Sequence, residues 1–114
     1  MTTNEWTEFV LKMSSRIADE DFQRVAWFGQ GPLVSSPLED FLGVFDDALL
    51  SDFLSAPEVS LSEDQRAAAV TFAEMLERYF EGLPDNPDPA QVFGDSKWDR
   101  VRAAAREFVS LMKA

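Results

Sequence analysis

The chain contains no cysteine and no histidine, and those two absences remove most of the side-chain chemistry on which enzymes depend. Without cysteine there is no disulfide, no thiolate zinc site and no thiol nucleophile, a usage that fits a reducing cytoplasm. Without histidine there is no Ser–His–Asp triad, no imidazole metal ligand and no side chain that ordinarily titrates near neutrality. No apolar run approaches the ~20 residues of a membrane span. The opening Met1-Thr2-Thr3-Asn4-Glu5-Trp6 has no basic stretch leading into an apolar one, so a secretory leader is not expected. Positive charge is scarce as well, with 10 Lys and Arg set against 21 Asp and Glu in 114 residues.

That imbalance is unevenly distributed. Residues 1–94 carry 18 acids and 5 bases, whereas residues 95–114 carry 3 acids and 5 bases. An acidic surface repels phosphates and anionic lipid headgroups, so neither nucleic acid nor a membrane is the expected partner. It attracts a basic protein, although acidity also serves solubility alone.

The apolar residues, 10 Phe and 3 Trp among them, supply a core. A chain of this length forms one domain over residues 1–114 and buries ~65% of its unfolded surface. Apolar positions recur at helical spacing almost throughout, and no segment alternates as a strand, so the expected fold is an all-α bundle of about five helices.

The first helix spans residues 4–16 behind Thr3, with Trp6, Phe9, Val10, Met13 and Ile17 on its apolar stripe. Asp19-Glu20-Asp21 reads as the negatively charged first turn of a second helix that stops at Gly29; the two segments are also consistent with one bent helix. Residues 29–37 form a loop. Ser36, Pro37 and Glu39 then start a third helix, with a core stripe from Leu38 to Phe53, that Ala56-Pro57 ends. A fourth helix starts at Ser62 with Gln65 completing a capping box, and Gly82 and Pro84 stop it. Residues 83–94, with three prolines, read as a rigid extended connection. The last helix starts at Asp95 or Ser96. Its Trp98, Val101, Ala105, Phe108 and Met112 form the seam of a helix packed nearly antiparallel, each large side chain contributing ~1.5–3 kcal/mol on burial.

Projected at 100° per residue, the third helix gathers Glu39, Asp40, Asp46 and Asp47 on the side away from its core stripe. Leu50 and Leu54 fall in the same sector, as apolar anchors ringed by acids; the alternative is that another helix covers them. The fourth helix carries a similar outward stripe through Glu63, Val70, Glu74 and Glu77, continuing to Glu81. Like charges four apart destabilise a helix by a few tenths of a kcal/mol, so the Glu77–Glu81 pair has a cost. The basic residues of the last helix, Lys97, Arg100, Arg102, Arg106 and Lys113, are expected to neutralise the acidic helices across the bundle and to favour its C-terminal end.

Catalytic patterns are largely missing. Gly29-Gln30-Gly31 is too short for a phosphate-binding loop and lies between helices, and Asp85-Asn86-Pro87-Asp88 lacks the spacing of a calcium loop. Glu74-x-x-Glu77 supplies half of the carboxylate set with which all-helical nucleotide pyrophosphatases hold Mg²⁺, but the last helix offers no matching half. No catalytic residue, cofactor or metal is therefore expected, and the chain reads as a non-enzymatic protein.

Between Phe9 and Phe53 the sequence resembles the small helical immunity proteins of bacterial toxins, especially the colicin D immunity type. The resemblance rests on Ile17-Ala18-Asp19-Glu20-Asp21-Phe22, the aromatic Trp27, and a Leu/Phe/Asp-rich helix from Phe41 to Phe53; the helix from Trp98 extends beyond that type. It implies an acidic inhibitor that occupies the basic substrate groove of a nuclease-type toxin domain, which together with the absent cysteine makes the cytoplasm the expected location. Helical projection, not the resemblance, nominates the partner-binding residues Glu39, Asp40, Asp46, Asp47, Leu50, Leu54, Glu63, Val70, Glu74 and Glu77. An acidic chaperone or adaptor for a secreted protein and a Mg²⁺-dependent hydrolase are the alternatives.

Overall fold

Thr2 opens the first helix, α1 (Thr3–Ala18), with a reciprocal cap: its hydroxyl accepts from the Glu5 N–H while the Glu5 carboxylate accepts from the Thr2 N–H. The computed structural model describes residues 1–114 and is helical with no strand. Asp19 takes an extended conformation and caps α2 (Glu20–Ala26) by accepting from the Phe22 N–H, so α1 and α2 are two helices rather than one bent one. Gly29, at φ +68°, lets the chain reverse out of α2 into the loop.

The segment expected to form one helix from Ser36 to Ala56-Pro57 is broken, although it does end at Ala56. Ser36 caps α3 (Pro37–Leu42) as its sequence suggests. A wide π turn follows over Gly43–Asp47, closed by an Ala48 N–H to Gly43 carbonyl bond of 2.9 Å. Leu49 then adopts left-handed backbone angles (φ 55°, ψ 53°), unusual for a branched residue, and α4 (Leu50–Ser55) sets off in a new direction. Two contacts hold the break. A Cβ on Gly43 would come within 2.9 Å of the Met13 sulfur, so with glycine there the flexible Met13 side chain of α1 lies directly against this turn. The Trp6 indole N–H donates to the Ala48 carbonyl at 2.7 Å, satisfying a backbone group that the break leaves free.

Helix α5 (Glu63–Glu81) begins with the Ser62–Gln65 capping box read from the sequence. The proline-rich connection is not wholly extended, because Asp88 and Pro89 start a short helix, α6 (Pro89–Phe93). Helix α7 (Ser96–Lys113) follows an Asp95 cap and packs against both α1 and α5. Gln65 near the start of α5 donates to the Leu111 carbonyl near the end of α7, which makes the two antiparallel. Phe72 and Phe108 stack between them, and Trp98, Val101, Ala105 and Phe108 are buried as the seam requires, while Met112 is half-buried. Twenty buried side chains form one core cluster.

A buried amide joins the helices. Gln23 on α2 is fully enclosed, and its Nε2 donates to the Arg16 and Ile17 carbonyls at 2.7 and 2.8 Å, covering two free carbonyls at the end of α1. Its Oε1 accepts from Trp98 Nε1 at 3.0 Å and Arg102 Nε at 2.8 Å on α7. Arg102, itself 2% exposed, also bonds Asp99 and the Phe93 carbonyl. No base of α7 pairs directly with an acid of another helix: every ion pair in the molecule lies within one helix. Replacing Gln23 with alanine strips an acceptor from two buried donors, so Q23A should lose about 2–5 kcal/mol in a urea unfolding titration; a loss under 1 kcal/mol would mean that water substitutes for the amide.

Candidate partner-binding face

Two open grooves flank the π turn, and Asp46 borders both. The first, of about 470 Å³, runs between the α3–π segment and the C-terminal end of α5. Phe41 and Phe80 stack at 4.4 Å along it, with Phe45 5.1 Å from Phe41. Its rim carries Asp46, Glu77, Glu81 and Asp85, with no base. The helix stop at Gly82 creates that rim, because the chain turns directly after α5 and brings Leu83, Pro84 and Asp85 alongside Phe80.

The second groove, of about 420 Å³, lies across the turn, where Glu39, Asp46 and Asp47 meet Leu33, Val34 and Leu42. Those three apolar residues are 46%, 62% and 36% exposed, an uncovered patch beside three carboxylates. Arg16 is the single base in its wall. Of the chain's 21 acids only Glu20, Asp21 and Asp99 have a basic group within 4.0 Å, so the carboxylates of both grooves stand uncompensated. They project a net negative potential, offset in the second groove only by Arg16.

Several nominated residues lie elsewhere. Glu63, Val70 and Glu74 are exposed on the outward stripe of α5, as projection placed them, yet none lines a groove; Glu63 is about 21 Å from Glu77 along the helix axis. Leu54 is half-buried against the core. Leu50 is a correction. It is completely buried, because a projection at 100° per residue fails once the chain has passed the π turn and Leu49. Residues 33, 34, 42, 80, 81 and 85 were not nominated; the apolar run Leu33-Val34 in an otherwise polar loop was the available signal for two of them.

Asp40 is the other correction. It is 2% exposed and points inward, its Oδ2 accepting from Trp27 Nε1 at 2.8 Å and Ser35 Oγ at 3.2 Å. It therefore anchors the loop that carries Leu33 and Val34 instead of meeting a partner. Burial pushes its carboxyl above the usual carboxylate range, against the lowering effect of the Trp27 and Ser35 donors. Asp95 behaves oppositely: the Lys97 backbone N–H and the Tyr79 hydroxyl hold it below that range. No three carboxylates anywhere in the chain are arranged to hold a metal ion, and no helix is long and apolar enough to cross a membrane. No family model matches the chain, and no match was found among curated proteins or solved structures.

The sign of the Asp40 effect follows from its raised value. The native state holds the proton more tightly than the unfolded chain, so the contribution of Asp40 to stability is complete below the unfolded value of 3.8 and is lost as pH rises through the folded one. D40N keeps an acceptor for Trp27 and carries no charge. Its urea midpoint should exceed wild type near pH 7 and converge with it near pH 4; a constant offset across that range would remove the ionised Asp40 as the cause.

Proposed function

We propose that the chain is a non-enzymatic acidic binding protein, an immunity or antitoxin-type inhibitor that covers the basic active site of a nuclease-type toxin domain. The observation that carries this reading is the face around the π turn, where uncompensated Glu39, Asp46, Asp47 and Glu77 border two grooves with uncovered apolar walls. Such a surface suits a partner that holds phosphates for a living: its cationic cleft is drawn in by long-range attraction, and the apolar walls supply the dry contact that keeps it there. The fold fits the task as well. The acids stand on helices locked to the core through Trp6, Trp27 and Gln23, so little ordering cost remains at binding.

Leu50 no longer contributes to this surface, and Leu33, Val34 and Leu42 take over its apolar role. Co-expression with the product of the adjacent reading frame tests the class: a stable complex and rescue from toxicity are expected, and neither would leave the inhibitor reading without support. In such a complex, D46K/D47K should lower the association rate about tenfold at low salt and flatten its salt dependence, with far-UV circular dichroism unchanged because both residues are exposed. An unaltered association rate would exclude the π-turn acids from the interface.

A further inference from the structure

The groove beside Phe80 selects its occupant more narrowly than the acidic face as a whole. Four carboxylates border it and none has a basic group within 4.0 Å. A metal ion does not answer that charge, because no three of them converge as ligands. The fitting cation has donors spread over several ångströms and an apolar stem for the Leu38, Leu83 and Pro84 walls. A guanidinium meets both conditions: five N–H donors lie in one plane, the flat face stacks on aromatic rings, and the methylene stem covers apolar surface. An ammonium is a compact point charge and satisfies fewer of the dispersed acids.

We propose that the groove between α3 and the C-terminal end of α5 receives an arginine side chain presented by a short, apolar-flanked segment of the basic partner. The statement rests on the proposed function and names what that face recognises. At about 470 Å³ the groove has room for the arginine and part of its neighbours. Phe41, Phe45 and Phe80 line the groove as apolar surface for the methylene stem, and Glu77 and Glu81, one turn apart on α5, stand on its rim as acceptors for the guanidinium. This also accounts for two like charges four residues apart with no ion-pair partner. A second copy of the chain is a poor occupant, since each carries a net charge of −11.

The test is a ¹H–¹⁵N NMR titration of the intact chain at low salt with the tripeptide Ac-Leu-Arg-Leu-NH₂ and its lysine and citrulline counterparts. The arginine peptide should shift Phe41, Glu77 and Phe80 saturably, the lysine peptide should bind several-fold more weakly, and the citrulline peptide should be silent. E77Q/E81Q, which alters exposed residues only and relieves their mutual repulsion, should weaken arginine binding about tenfold with a thermal midpoint equal to or slightly above wild type. Absence of binding, equal binding of lysine or citrulline, shifts centred away from the groove, or indifference to E77Q/E81Q overturns the proposal. So does concentration-dependent self-association through the same residues in sedimentation equilibrium. A toxin complex that forms and is lost in D46K/D47K while the peptide fails would sink the arginine and keep the inhibitor. Peptide binding without any toxin complex or rescue would do the reverse.

Discussion

The Gln23 amide is the constraint on which the bundle depends. One side chain from a seven-residue helix uses both donors on α1 and its oxygen on two donors of α7, and all of those bonds are buried except the half-buried one to the Arg16 carbonyl. Its surroundings make it irreplaceable by an apolar residue of similar volume, because Trp98 and Arg102 each bring a proton donor into a space water does not reach. Arg102 in turn has its charge balanced by Asp99 and its face laid on Phe93 at 4.9 Å, so the network is closed and all its polar atoms are satisfied. The chain thereby fixes α2 against the terminal helix across 75 residues of sequence.

A second polar anchor sets the binding face. Asp40 ties Trp27 and Ser35 together, and so fixes the loop that places Leu33 and Val34 beside the acidic turn. Asp40 and Asp95 make opposed demands on pH, the buried one favouring protonation and the one bonded to the Lys97 N–H and Tyr79 favouring ionisation. Apart from Glu20, Asp21 and Asp99, the other acids have no counter-charge within 4.0 Å, which is a cost to the folded state through mutual repulsion and a benefit to the approach of a basic surface.

The sequence made the helices legible because long amphipathic periods and caps are local signals. Ser36, Ser62 and Asp95 each start the helix assigned to them, and the terminal seam from Trp98 to Phe108 is buried as read. The failures share one physical origin. Gln23, Asp40 and Arg102 are polar residues whose burial is decided by partners 5 to 79 residues away, which no local pattern encodes. Leu50 failed for a related reason: the projection assumed one uninterrupted helix, and the fold inserts a wider turn where Gly43 admits Met13. Of the candidate site, Glu39, Asp46, Asp47 and Glu77 were legible. The loops that complete the grooves were not, because their position follows from how the chain returns after Gly29 and Gly82.

The π turn at Gly43–Asp47 is geometrically a helix holding one residue too many. The direction in which Asp46 and Asp47 face is thus governed by a count of residues rather than by their identity. A lineage that drops a single codon from this stretch would restore the ordinary pitch and swing the pair by about 100°, exchanging one binding geometry for another while every core side chain of α1, α5 and α7 is retained. Insertion and deletion, not substitution, would then be the fast route by which proteins built on this plan change whom they recognise.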